Sequence, residues 1–280
     1  MEKRVLSIQD ISCVGQCSLT VALPIISAAG IETSILPSAI LSTHTAAPFG
    51  KFTFRDLTQD LPSINAHWNS INIKFDAIYT GYIGSKEQIQ YIIDIIDSTL
   101  KDNAPFICDP AMGDNGNLYV GFDRDFANHM AKLCAKADII LPNLTEAAYL
   151  LNEEYMPKYD KSYVEGIVRR LAKLGPRIVI ITGVSFDDSS VGVCIYDKNN
   201  DNTTYYLHEK IGQSFHGTGD VFSSSFVGAY LNGMNEFEAA KIAADFTKQS
   251  VTLTIEDKNE HWYGVEFEQL LPKYIKMLGK

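Results

Sequence analysis

The sequence predicts an α/β fold: a central, mostly parallel sheet with helices on both faces and an antiparallel hairpin at one edge. Three observations predict it. Short β-branched runs alternate with longer helical patterns along most of the 280 residues. The runs are apolar without clear alternation, as strands covered on both faces are. Near the C-terminal third, "SVGVCIYDKNNDNTTYYLHEK" breaks the rhythm, because two strand-like runs flank the turn "DKNNDN".

The elements follow in order. "VLSI" at 5–8 reads as the first strand, and 18–29 as a helix that Pro24 should kink or restart. "TSIL" at 33–36 is the second strand. The polar segment 52–74 reads as an irregular surface excursion or flap. "AIYT" at 77–80 precedes a helix over 86–101. "FICD" at 106–109 precedes one over 124–135, and "IIL" at 139–141 precedes one over 145–151. A further helix covers 163–174 and leads to "IVIIT" at 178–182. After the hairpin come helices over 221–231, 236–252 and 266–277. With no repeat, linker or low-complexity tract, one domain over 1–280 is expected.

Composition narrows the function classes. A net charge of −10 leaves no global basic surface for nucleic acid and repels anionic membranes. Any phosphate ligand therefore needs positive potential that is local. The N-terminus lacks the apolar core of a signal peptide, and "VALPIISAAG" is too short to span a bilayer. The five cysteines, odd in number and scattered, suit reduced thiols and a cytoplasmic setting. Cys13 and Cys17, four apart, fit one helix face, but no nearby Cys or His pair completes a metal site.

In open α/β sheets, ligands bind beyond the carboxyl ends of the strands. Those ends carry Asp10, then Thr43, His44 and Thr45, then Thr80, Gly81 and Tyr82. The later ones carry Asp109, Asn143 with Glu146, and Thr182 with Gly183. "HGTGDVFSSSFVGAYL" places Gly217, Thr218, Gly219 and Asp220 at the mouth of an apolar helix. Free amides and the positive end of the helix dipole make an anion cradle there without any lysine or arginine. Asp220 reads either as a first-turn acid that stabilises the helix or as a general base for a hydroxyl. Asp109 at a strand end and Asp114 in a Gly-rich loop suit Mg²⁺ or a simple turn. Asn143 and Glu146, three apart, suit a capping box or the surroundings of a hydrated ion. His44 reads first as a satisfied buried histidine, and Tyr82 as a core aromatic or a surface on which a flat ring stacks.

The chain resembles the pyridoxal/pyridoxamine kinases of the ribokinase-like superfamily. The pieces that carry the resemblance are "SIQDISCVG", "LSTHT", "TGYIGSKEQ", "CDPAMGD", "LPNLTEA", "VIITG" and "HGTGDVFSSSFVGAYL", in family order over roughly 5–252. The resemblance implies ATP-dependent phosphorylation of the 5′-hydroxyl of pyridoxal, pyridoxine or pyridoxamine. It implies that Asp220 is the base, and Gly217, Thr218 and Gly219 the anion hole. Asp109 and Glu146 fall near ATP and Mg²⁺, the ion held through water, with Asn143 in the same motif. Leu141 and Thr182 fall near the nucleotide. Thr45 and Tyr82, with His44 in the same loop, fall around the pyridine ring. The resemblance also implies a homodimer and leaves room for a monovalent cation.

One departure stands out: Asp10 occupies a position where many members carry serine. A carboxylate there favours a protonated ring nitrogen or a donor substituent, so Asp10 is expected to contact the ring and bias substrate choice. Two other readings stay open: a hydroxymethylpyrimidine kinase of the same superfamily, whose members tend to carry cysteine in place of Asp220, and a non-catalytic vitamer-binding protein. A sugar kinase lacks support without an N-terminal Gly-Gly pair and lid insertion. A Rossmann dehydrogenase fails because "QDISCVGQC" has one glycine. His216 and Lys210 read as solvated loop residues.

Overall fold

The computed structural model describes residues 3–45, 47–212, 215–257 and 263–280. Its elements, in chain order, begin with β1 (Arg4–Ser12), α1 (Leu19–Ala28), β2 (Glu32–Leu41), β3 (Phe54–Asp56), α2 (Leu61–Ser70), β4 (Ala77–Thr80) and α3 (Lys86–Thr99). Then come β5 (Phe106–Cys108), β6 (Gly113–Asp114), β7 (Asn117–Leu118), α4 (Arg124–Lys136), β8 (Ile139–Ile140), α5 (Leu144–Leu150) and α6 (Lys161–Leu174). The last are β9 (Ile178–Val184), β10 (Ser190–Asp197), β11 (Asn202–Glu209), α7 (Thr218–Leu231), α8 (Glu236–Glu256) and α9 (Leu271–Met277).

Nine strands form one sheet in the order β11-β10-β9-β8-β5-β4-β1-β2-β3. The six strands from β9 to β2 pair in parallel. The expected hairpin, β10 and β11, adds antiparallel strands beyond β9. Its turn chemistry is local: the Asp197 carboxylate accepts from the Asn199 N–H at 3.0 Å and the Asn200 amide at 2.6 Å.

Because the parallel strands are covered twice, alternate residues feed two cores. Leu6, Ile8, Ile78, Val179 and Ile181 face the side of α2 to α6. Val5, Ala77, Tyr79, Ile178 and Ile180 face the side of α1, α7, α8 and α9. Both faces of each strand are therefore apolar, which explains the continuous runs in the sequence.

Several expectations are corrected. The segment 52–74 is not an irregular flap. It holds β3, antiparallel to β2 at the far sheet edge, and the helix α2, whose Leu61 is buried in the core. All three residues of β3 are exposed, and a three-residue strand shows no period. The apolar stripe of α2 is narrow, limited to Leu61, Ile64 and Trp68. Pro24 neither ends nor restarts α1, which runs unbroken through it. Strand β1 continues past 8 to Ser12, so Asp10 lies inside the strand and not after it. The last helix starts at Leu271, with proline in its first turn, after a 3-10 turn over Glu268–Leu270. Cys13 and Cys17 share no helix, since they lie in the irregular connection between β1 and α1. All five cysteines are free. Among the described residues, no helix is long and apolar enough to cross a membrane.

Gly192 marks where β10 shifts register against β9, and a Cβ there would run into the Tyr206 carbonyl of β11. We expect Gly192→Ala to lower the unfolding free energy by about 2 kcal/mol or more, because backbone rather than a flexible side chain must yield. Urea denaturation followed by circular dichroism measures it, and an unchanged midpoint would contradict the close approach.

Candidate active site

The helix α7 begins at Thr218, three residues before the sequence pattern suggested. Gly217 caps it with φ 79° in the left-handed region. Only glycine serves here on two counts: the angle disfavours a side chain, and a Cβ would collide with the carbonyl of Gln16. The connection after β1 thus lies directly against the start of α7. The first turn of α7 holds Thr218, Gly219 and Asp220, with Gly219 open to solvent and no heavy atom within 4 Å of where its Cβ would stand. The Thr218 hydroxyl donates to the Phe215 carbonyl at 3.2 Å.

Asp220 is half-buried. Burial pushes its carboxyl up to about 7, and the Asp10 charge adds to the rise. The Ser18 N–H opposes it. Asp10 itself is buried in β1; burial raises its carboxyl, and the hydroxyls of Ser18 and Ser12 oppose that rise. The Ser12 contact is 3.1 Å. Asp109 follows β5, buried, and its Oδ2 accepts from the Ser223 hydroxyl at 2.6 Å. Burial raises Asp109 to about 7, and the Asp220 charge contributes.

Asn143 and Glu146 form a capping box at the start of α5. The Glu146 N–H donates to Asn143 Oδ1 at 2.9 Å, and the Asn143 N–H donates to Glu146 Oε2 at 2.8 Å. Glu146 is also a strut for the loop after β5, since the Met112 N–H donates to its Oε1 at 3.1 Å. The Asn143 amide donates to the Gly113 carbonyl at 2.8 Å. Burial, with the Asp109 charge second, holds the Glu146 carboxyl well above its ordinary range.

Thus Asp10, Asp220, Asp109 and Glu146 form an electrostatically linked chain along the carboxyl edge of the sheet. Tyr82, half-buried after β4, joins it: burial and the Asp10 charge push its phenol up to about 12. Its ring lies 5.4 Å from that of Phe122. Leu141 is buried in the core beneath, so only its backbone reaches the edge. Thr182, half-buried in β9, bridges to Asn143.

Thr45 is exposed, while His44 is buried with a ring nitrogen 2.9 Å from the Tyr263 carbonyl. Burial lowers its pKa, so His44 is a neutral, satisfied histidine. His216 is exposed, with its ring 5.2 Å from that of His44. Asp114 is exposed in the β6–β7 hairpin, where it accepts from the N–H and side-chain amide of Asn115.

Sequence reasoning missed Ser12, Ser18 and Ser223. For Ser223 a signal existed: three serines run through an apolar helix, and all three are buried. For Ser18 none existed, because serine before a helix reads as an ordinary cap.

Among the described residues, no group of three or more His, Cys, Asp or Glu side chains is placed to hold a metal ion. Both Glu146 oxygens already accept backbone N–H groups, so Glu146 does not suit direct ligation. Asp109 and Glu146 do suit a hydrated cation met through water, because a nearby positive charge would relieve two carboxylates that burial disfavours.

This arrangement defines an α/β protein that gathers a glycine-opened helix start and buried acids near the carboxyl ends of its parallel strands. The model of the family described as "Phosphomethylpyrimidine kinase" matches residues 52–263, and the chain belongs to that family. A pyridoxal kinase of Dictyostelium discoideum is 30% identical over 245 residues, covering 81% of this chain and 78% of that one. A Bacteroides thetaiotaomicron structure described as a phosphomethylpyrimidine kinase, in an orthorhombic form with pyridoxal, superposes with a TM-score of 0.92. It is 35% identical, covering 100% of this chain and 96% of that one. The pyridoxal kinase of Lactobacillus plantarum gives a TM-score of 0.90 at 30% identity, covering 98% and 97%.

Asp109 and Asp220 bind protons more tightly when folded than when unfolded. The stability they contribute is full below about pH 4 and is lost as pH rises through about 7. Asp109→Asn keeps an acceptor for Ser223 and removes the buried charge. We expect it to raise the thermal midpoint at pH 8 by roughly 2 °C or more, with the gain shrinking towards pH 5. Scanning fluorimetry at both pH values checks this, and equal midpoints at pH 8 would contradict it.

Proposed function

We propose that this chain phosphorylates the 5′-hydroxyl of a vitamin B6 vitamer with ATP, residues 1–280 working as one kinase domain. The observation that carries the reading is Asp220, a carboxyl raised to about 7 in the first turn of a helix whose opening amides are bared by Gly217 and Gly219. The relatives named pyridoxal kinase support the substrate class.

In this reading the terminal phosphate of ATP meets the start of α7, where N–H groups and the helix dipole stabilise it. The pyridine ring lies between the Thr45 and Tyr82 loops, in reach of Asp10, with its hydroxymethyl group towards Asp220. Asp220 takes the hydroxyl proton as the oxygen forms its bond to the terminal phosphorus. The bond from that phosphorus to the bridging oxygen breaks, and ADP leaves with the electron pair. Most of the acceleration comes from positioning and charge neutralisation. Asp109 and Glu146 would hold Mg²⁺ through water, and the ion would supply part of that neutralisation. Asn143, Leu141 and Thr182 shape the nucleotide side through backbone and amide groups. Asp10 faces the ring and sets vitamer preference. A homodimer, the cytoplasm and a monovalent cation beside the nucleotide complete the reading, on the family resemblance.

A second reading is a hydroxymethylpyrimidine kinase, since the family model and the Bacteroides structure carry that description. The pyridoxal in that same Bacteroides structure favours the B6 reading. A steady-state panel of pyridoxal, pyridoxine, pyridoxamine and hydroxymethylpyrimidine with MgATP separates the two.

Asp220→Asn is expected to lower kcat by about two to four orders of magnitude while ATP binding, followed by calorimetry, changes little. Near-normal turnover would refute the base. Because a base acts when deprotonated, wild-type kcat should fall as pH drops through the Asp220 titration near 7. Asp10→Ser is expected to change the kcat/KM ranking of the three vitamers, and an unchanged ranking would remove Asp10 from the ring.

A further inference from the structure

Ser223 stands in the second turn of α7, three residues after Asp220. On a helix that spacing puts both on one face, ~4.5 Å apart along the axis. A serine inside a helix ordinarily turns its hydroxyl back to a carbonyl of the preceding turn. Thr247, Ser250, Thr252 and Thr254 of α8 do so, each donating to the carbonyl four residues back at 2.8–3.0 Å. Ser223 does not. Its hydroxyl leaves the helix and donates to Asp109 Oδ2 at 2.6 Å, the length of a hydroxyl bond to a carboxylate. Both residues are buried. The next two residues, Ser224 and Ser225, are also buried, and among the described residues their hydroxyls have no partner. Of three consecutive serines, only the first reaches across to the sheet.

Asp109 is held from two sides. Its backbone N–H donates to the Thr80 carbonyl at 2.8 Å, which fixes its Cα at the end of β5. The carboxylate could still turn about its side-chain bonds. Among the described residues the Ser223 hydroxyl is the one hydrogen-bond donor to it. That hydroxyl therefore selects which oxygen the protein engages and leaves Oδ1 without a protein donor. Glu146 differs, since both its oxygens accept backbone N–H groups, at 3.1 Å and 2.8 Å. Of these two acids, Asp109 is the one with an oxygen to spare for a ligand's water.

We propose that Ser223 is a positioning residue for the cation of the nucleotide: it locks Asp109 with Oδ1 towards the hydrated ion, and it ties that acid to the helix that carries Asp220. The proposal rests on the reading of Asp109 as an acid that meets Mg²⁺ through water. It adds that the cation side and the base side of the site share one rigid element.

The test titrates ADP into the full chain by calorimetry, once with excess Mg²⁺ and once with EDTA, so the gain in affinity from the cation is read without turnover. Ser223→Ala should cut that gain about ten-fold and leave the affinity in EDTA near wild type. Ser223→Cys keeps the side-chain volume and offers only a weak donor. It should show the same loss even where the smaller alanine disturbs packing. In the Asp109→Asn background, which has lost the charge, Ser223→Ala should have no further effect on the gain. In steady-state assays with pyridoxal, the KM for MgATP should rise about ten-fold while the KM for pyridoxal stays near wild type. A merely structural role predicts another pattern: lower thermal midpoints and less active protein, with the Mg²⁺ gain and both KM values unmoved in the protein that folds. That pattern would overturn the proposal, as would a Ser223→Ala effect that persists in full with Asp109→Asn. A wild-type chain whose ADP affinity ignores Mg²⁺ is a different failure: it would overturn the reading of Asp109, and the role of Ser223 with it.

Discussion

Gly217 and Gln16 come so close that no side chain fits between them, and that approach organises the rest of the site. It presses the connection after β1 onto the first turn of α7. Asp10 and Ser18 are buried on one side of this approach, while Gly219 in the first turn of α7 stays exposed. The two segments belong to distant parts of the chain. The sheet brings them together because β1 is an interior strand, paired on both sides, and α1 and α7 cover the same face.

The group of acids that results is electrostatically unfinished. Four carboxylates lose hydration, and each is shifted upward by burial before anything else. Stability alone would neutralise such groups or pair them with cations. Serine hydroxyls and backbone N–H groups instead hold them in place without neutralising them. That is the condition in which an incoming nucleotide with its cation gains most, because the site lacks what the ligand brings. Glu146 shows the division of labour: its oxygens fix the loop after β5 and the start of α5, so its charge is available to a cation only at a distance.

Much of this was readable beforehand. The parallel strands were legible because double coverage leaves an unbroken apolar run, and the hairpin because Asp197 and the asparagines after it make a turn from local bonds. Asp109, Asn143, Glu146 and Asp220 were legible because acids and amides at strand ends stand out against apolar surroundings. What escaped had weak local signals. Strand β3 is three exposed residues long, and α2 buries a stripe of only Leu61, Ile64 and Trp68. Asp10 was expected beyond β1, whereas the strand runs on to Ser12 and carries it inward.

The sequence by itself determined the order of the elements, the strand-end acids and the glycines that bare the α7 amides, since periodicity, turn chemistry and residue type act over a few neighbours. Only the tertiary structure decided which acids lie near one another, that Glu146 braces the loop after β5, and that His44 meets the Tyr263 carbonyl. Those outcomes depend on close approaches between segments far apart in the chain, and packing alone sets them.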